Sequence, residues 1–141
     1  MMEKIFALLL SVLILSALGC ATVQNPKAEA DAVESARAWL TLIDEGKYAD
    51  SWNDAAEIFK DAVKKEQWMQ ALQGVRKPLG NLISRETKNT TYKTSLPGAP
   101  NGEYVVIQFK ASFENKKSAI ETVTPMLDKD GNWRVSGYYI K

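Results

Sequence analysis

The sequence predicts an α+β fold in which amino-terminal helices pack on a four-stranded, curved antiparallel sheet. Three observations carry this expectation. Between Ala28 and Glu45, Val33, Ala36, Leu40 and Ile43 recur at three- and four-residue spacings, the period of a helix with one apolar face. From Tyr104 to Phe113 the period drops to two: Val105, Ile107, Phe109, Ala111 and Phe113 alternate with residues such as Gln108, Lys110 and Ser112. All strand-like segments follow all helical ones, the helices-then-sheet order of an α+β chain.

The 141 residues leave room for one domain once a leader is removed. An apolar fraction of 45% with 25% charged residues is enough for a core that needs no disulfide or metal. A net charge of +1 makes no electrostatic case for nucleic acid.

Residues 1 to 19 read as a signal peptide. Met1 to Lys4 is weakly positive, and Ile5 to Leu18 is apolar on every side, yet shorter than the roughly 20 residues a membrane span requires. The run stops at Ser16-Ala17-Leu18-Gly19-Cys20, which resembles the lipobox of bacterial lipoproteins, with Ala17-Leu18 standing where Leu followed by a small residue is usual. Cys20 is the single cysteine, so no internal disulfide competes for it. The resemblance implies lipid on Cys20. Each buried methylene adds about 0.8 kcal/mol, and more than one acyl chain anchors a domain stably. Residues 20 to 27 then form the lipidated cysteine and tether, reaching roughly 20 to 25 Å when extended. Ala21 stands where enterobacterial lipoproteins kept in the inner membrane carry Asp, which favours the outer membrane, facing the periplasm.

A single domain follows over residues 28 to 141. Gly46 closes the first helix with a left-handed cap, and Trp39 beside its apolar stripe reads as core. A second helical region starts at Asp50 or Ser51 and buries Ala55, Ile58, Phe59, Ala62 and Val63; Lys64-Lys65 interrupts it, and Glu66 to Arg76 resumes with Trp68, Leu72 and Val75 until Pro78 and Gly80 end it. Leu82 to Thr94, rich in Thr and Ile, is the first strand, and Ser95 to Gly102 is a loop by its Pro and Gly content. Tyr104 to Phe113 is the second strand. Ala119 to Leu127 is the third, its Pro125 confined to an edge or a bulge. Asp128 to Asn132 turns the chain into the fourth, Trp133 to Ile140, with Trp133, Val135 and Tyr139 assigned to one face and Arg134, Ser136 and Tyr138 to the other.

In this order, Trp39, Ile43-Asp44-Glu45-Gly46-Lys47-Tyr48, Ser51-Trp52, Phe59, Trp68, Pro78-Leu79-Gly80, Ser95-Leu96-Pro97-Gly98, Tyr104-Val105-Val106, Glu121-Thr122-Val123 and Gly131 to Tyr139 resemble the bacterial family called domain of unknown function 4019. The resemblance covers nearly all of the mature chain and implies a small envelope domain, with no catalytic residues to carry over. The order of elements is also similar to cystatin-like and nuclear-transport-factor-2-like folds.

Chemistry is sparse. The chain has no histidine, so the commonest base, metal ligand and triad partner are missing together. We expect no metal and no cofactor: Cys20 is taken by the lipid site, and Gly131 comes too early after Asp128 and Asp130 for a calcium loop. Asp44 and Glu121 remain as candidate pocket carboxylates for an isomerase-like reaction, with Glu121 expected on the surface or paired with Arg134. The leading expectation is not an enzyme but a lipid-anchored interaction module that binds the membrane through Cys20 and docks on an envelope protein or a second copy. A binder of a small apolar or peptidic ligand is the alternative. If the sheet curves around the helices, Tyr48, Trp52, Phe109 and Trp133 line a cavity, unless they fill a packed core. Unbroken alternation sends Tyr104, Val106, Arg134, Tyr138 and Ile140 to the outer sheet face, as a partner surface or as cover for one edge of the core.

Overall fold

The computed structural model describes residues 23–141. Residues 1–19, read from the sequence as a signal peptide, and Cys20 lie outside the described residues. Four helices precede four strands: α1 (Pro26–Asp44), α2 (Tyr48–Asn53), α3 (Glu57–Ala62) and α4 (Lys65–Val75), then, after a 3-10 turn at Lys77–Leu79, β1 (Leu82–Lys93), β2 (Tyr104–Phe113), β3 (Lys116–Leu127) and β4 (Trp133–Ile140). The strands form one curved, open antiparallel sheet in the order β1-β2-β3-β4, the α+β arrangement expected from the sequence.

The ends of α1 follow from local chemistry. Asn25 Oδ1 accepts from the Ala28 amide at 3.1 Å, and Pro26 occupies the first turn, where its missing N–H costs nothing. Pro26 and Lys27 are therefore helical rather than part of a tether. At the other end the Gly46 and Lys47 amides donate to the Ile43 and Leu42 carbonyls at 3.0 and 2.8 Å, and Gly46 takes φ +76°. This is a Schellman cap, in which glycine supplies the left-handed residue. Ala32, Ala36, Leu40 and Ile43 are buried against Val105, Ile107, Phe109, Val123 and Val135.

The second helical region is divided where the sequence reads as continuous. Ala55 and Ala56 are fully buried, and the Ala56 amide donates to the Val135 carbonyl at 2.8 Å. Two methyl side chains allow the backbone to approach the β4 edge, and that bond replaces a turn of helix. Ser35 Oγ donates to the Trp133 carbonyl at 2.7 Å, so a second position on this edge is also satisfied. The opposite edge, β1, carries Lys88 and Lys93 and has register shifts at Leu82/Ser84 and Thr87/Asn89, features that discourage strand addition.

An aromatic cluster fills the space between helices and β4. Phe59 and Trp68 meet edge to face at 5.0 Å, and Tyr138 packs on Trp39 at 5.5 Å and on Trp68 at 6.2 Å. The indole N–H groups are satisfied: Trp39 donates to the Ser51 carbonyl at 2.7 Å, Trp68 to Ser51 Oγ at 2.9 Å and Trp52 to the Val63 carbonyl at 2.8 Å.

Tyr138 overturns the alternation assigned to β4. Thr124 pairs with Gly137 but Pro125 with Val135, so Ser136 is an extra residue in the strand. The bulge accommodates Pro125, as expected. It also reverses the parity of everything beyond it. Tyr138 and Ile140 face the helices, and Tyr139 points outward at 54% exposure. Tyr138→Ala is expected to cost about 3–5 kcal/mol, in the range of large aromatic truncations in cores. Tyr139→Ala should stay within about 0.5 kcal/mol. Denaturant titration of the two variants separates this register from the unbroken one, which demands the reverse order.

Candidate functional site

Asp44, the last residue of α1, places a carboxylate at the negative end of the helix dipole, an unfavourable location unless cations answer it. Two guanidiniums do. Arg85 on β1 forks onto Asp44 through Nη1–Oδ2 at 2.7 Å and Nη2–Oδ1 at 2.9 Å, while Arg76 Nη2, just past α4, reaches Oδ1 at 3.2 Å. The Arg85 Nε donates in addition to Glu121 Oε1 at 2.7 Å, and the Tyr138 hydroxyl donates to Glu121 Oε2 at 2.7 Å. Arg85 stands opposite Ala111 on β2, and Glu121 opposite Phe109. The small Ala111 side chain leaves the space across which the guanidinium reaches to β3. Glu121 is therefore paired with Arg85, not Arg134, and is wholly buried rather than at the surface.

Burial alone would lower the Arg85 pKa, but its hydrogen bonds to Asp44 and Glu121 outweigh that and hold it above the ordinary arginine value. Burial, then the neighbouring Glu121 charge and hydrogen bond, push the Tyr138 phenol up. Both Glu121 oxygens are occupied and the Tyr138 proton is held, so the network braces helix layer against sheet. Arg76 completes it: Nη1 donates to the Gly80 carbonyl at 2.7 Å, and the guanidinium lies 4.4 Å from the Phe113 ring centroid. Gly80 has φ +76°, and a Cβ there would come within 3.0 Å of Glu114 Cβ, so this turn requires glycine.

Two open grooves flank the braced core. The first, about 750 Å³, runs between α1 and the β3–β4 turn, with Trp39, Trp133 and Val135 among its lining and Asp54, Glu57 and Lys60 contributed by the α2–α3 segment. At one end Arg134 donates to Asp128 at 3.1 Å and to both oxygens of Asp130 at 2.8 and 2.7 Å. The Arg134 and Asn132 bonds hold the Asp130 carboxyl well below the usual carboxylate range. A side-chain cation thus fills the space between the two aspartates that superficially suggested calcium. The second groove, about 480 Å³, lies at the far end of α1, where Asp44, Tyr48, Met69, Arg76 and Lys77 meet.

The four residues considered for a cavity are distributed over one packed core. Phe109 is fully buried in it, with Tyr48 buried and Trp52 and Trp133 half-buried against it. Trp133 lines the first groove and Tyr48 the second. The five residues considered for an outer surface do not form one patch. Tyr104 is covered by its own loop, with its hydroxyl on the Pro100 carbonyl at 2.6 Å, and Arg134 is tied to the aspartates. Val106 is half-buried on the outer face, whereas Tyr138 and Ile140 face inward. Arg76 and Arg85 were missed by sequence reasoning. The available signals were an Asp at the wrong end of a helix and a Glu sharing strand parity with Ala119 and Val123.

Fold and site together define a small α+β domain: helices on one face of a four-stranded meander, an ionic brace between the layers, and two polar-rimmed grooves. The chain belongs to the family described as protein of unknown function (DUF4019), whose match spans residues 35–138 and so includes every member of the brace. No curated protein and no solved structure matches it. Among the described residues, no group of three or more His, Cys, Asp or Glu side chains could hold a metal ion, and no helix is long and apolar enough to cross a membrane.

Replacing Arg85 with Met removes one partner from two buried carboxylates, and the expected loss is about 3–5 kcal/mol in denaturant unfolding. The phenol sets an alkaline limit. Above pH 10, the ordinary tyrosine value, the unfolded chain releases the Tyr138 proton while the folded chain keeps it, so stability falls as pH rises. In Tyr138→Phe that contribution is absent. Thermal melts between pH 8 and pH 11 should show a shallower decline in the variant than in the wild-type chain, roughly in proportion to one proton.

Proposed function

We propose that this chain is a lipid-anchored binding module of the bacterial cell envelope, facing the periplasm from the outer membrane, and that it takes a basic segment of a partner polypeptide into the first groove. The groove itself is the observation that carries the binding reading. It combines an open, indole-walled trough with the carboxylates of Asp54, Glu57, Asp128 and Asp130, against which stand only Lys60 and Arg134 among its lysines and arginines. The two aspartates at the turn already neutralise Arg134. Interfaces favour aromatic anchors with charge at the rim, and rim charge selects partners and speeds encounter. A binding role is favoured over an acid-base one because Glu121 has both oxygens engaged within a closed network.

The anchor reading rests on the apolar run Ile5 to Leu18, the Gly19-Cys20 junction and the absence of Asp after it. The start of α1 at Pro26 shortens the proposed tether to Ala21 through Asn25, at most about 17 Å at ~3.4 Å per residue.

One experiment addresses both parts. Photo-crosslinking residues placed at Asn53 and, as a control, at Lys117 are expressed in cells with wild-type or Cys20→Ala chains, with and without Asp54→Lys and Glu57→Lys. The expected result is a discrete adduct from Asn53 only, reduced at least about ten-fold by the two charge reversals with an unchanged melting temperature. Cys20→Ala should move the protein out of the membrane fraction, or accumulate as precursor. Equal adducts from both positions would remove the groove from the proposal. Membrane association of Cys20→Ala with no lipid mass on the wild-type cysteine would remove the anchor.

A further inference from the structure

We propose that the second groove, with Arg76 in its lining, is a binding site for the carboxylate of a small amphiphilic acid. This goes beyond the partner site above and uses a different part of the surface.

Arg76 is the reason. A guanidinium has five N–H donors. In Arg76, Nη1 donates to Gly80 and Nη2 to Asp44, while Nε is buried with no partner among the described residues. The residue is only 3% exposed, so a donor without an acceptor is costly there. Its bond to Asp44 is the longest in the brace, at 3.2 Å, on a carboxylate that Arg85 already holds bidentately at 2.7 and 2.9 Å. A planar fork with spare donors is the side chain best suited to a carboxylate.

The remaining lining completes such a site. Ile43, Tyr48 and Met69 offer apolar surface, Lys77 adds an exposed cation that makes no ion pair among the described residues, and Lys47 is balanced by Glu45 at 2.9 Å. Asp50 is the one carboxylate of the lining without an ion pair there, and it selects against ligands carrying more than one negative charge. At about 480 Å³ the groove falls within the range of roughly 300–1,000 Å³ common for small-molecule sites. The carboxylate can be that of a free monocarboxylic acid or of a peptide C-terminus, which present the same chemistry.

The test follows the Arg76 Nε–Hε resonance in the 15N-labelled full chain during titration with hexanoate, hexanamide, and an acetylated Leu-Ala peptide with a free or an amidated C-terminus. Saturable shifts are expected with one or both acids, with neither amide, and with affinity lowered at least about five-fold in Lys77→Glu, an exposed substitution that spares the brace. Tighter binding of hexanoate identifies a free acid, and tighter binding of the peptide acid identifies a chain terminus. Asp54→Lys in the first groove should leave the titration unchanged. No saturable shift with either acid up to about 10 mM, equal shifts with the amides, or an unaltered affinity in Lys77→Glu would each overturn the proposal.

Discussion

All three guanidinium nitrogens of Arg85 are committed, two to Asp44 on α1 and one to Glu121 on β3, and that fork ties the C-terminal end of α1 to the sheet. The apolar packing of Ala32, Ala36 and Leu40 against Val105, Ile107 and Phe109 is non-directional, and Ser35 and Arg37 add single hydrogen bonds to Trp133 and Thr87. A bidentate ion pair with bonds of 2.7 and 2.9 Å is directional. Buried charge of this kind often adds little net stability over an apolar substitute, but it penalises every arrangement in which the partners fail to meet. Its contribution here is to registry. Gly46 supports it by ending α1 where the Asp44 carboxylate meets the sheet.

Much of the architecture was legible because it rests on local rules. Helix α1 follows from three- and four-residue spacing and a glycine cap, and β2 and β4 from two-residue alternation bounded by turns; in the structure these strands begin and end at the residues read from the sequence. The break between α2 and α3 was not legible. Ala55-Ala56 has the best helix propensity of any residue pair, and its departure from the helix accompanies a bond from Ala56 to Val135, nearly eighty positions away. The site was less legible than the fold for the same reason. Asp44 and Glu121 were read only as candidate pocket carboxylates, with Glu121 at the surface or on Arg134, because the arginine that joins them lies on β1, whose alternation is blurred by two register shifts. Pattern reading cannot pair residues separated by forty positions when the intermediate step is an alanine making room.

The two grooves inherit their character from opposite treatments of charge. At the β3–β4 turn, Arg134 is spent on Asp128 and Asp130, and the first groove is left acidic. At the far end of α1, Asp44 is held bidentately by Arg85, Glu45 pairs with Lys47, and Arg76 keeps an unpartnered Nε. A chain with a net charge of +1 thereby carries two grooves of different charge composition without any large electrostatic field.

The extra residue at Ser136 bears on how this family can vary in length. Side chains in a strand alternate with a period of two, so β4 stores a parity that the bulge has already inverted once. Loss or gain of a single residue between Val135 and Tyr138 would exchange Tyr138 with a neighbour, break the contact with Glu121 and turn an aromatic ring from the core into water. A change of two residues restores the inward set. Relatives that differ in length within this strand should therefore differ in even steps, or carry a compensating bulge.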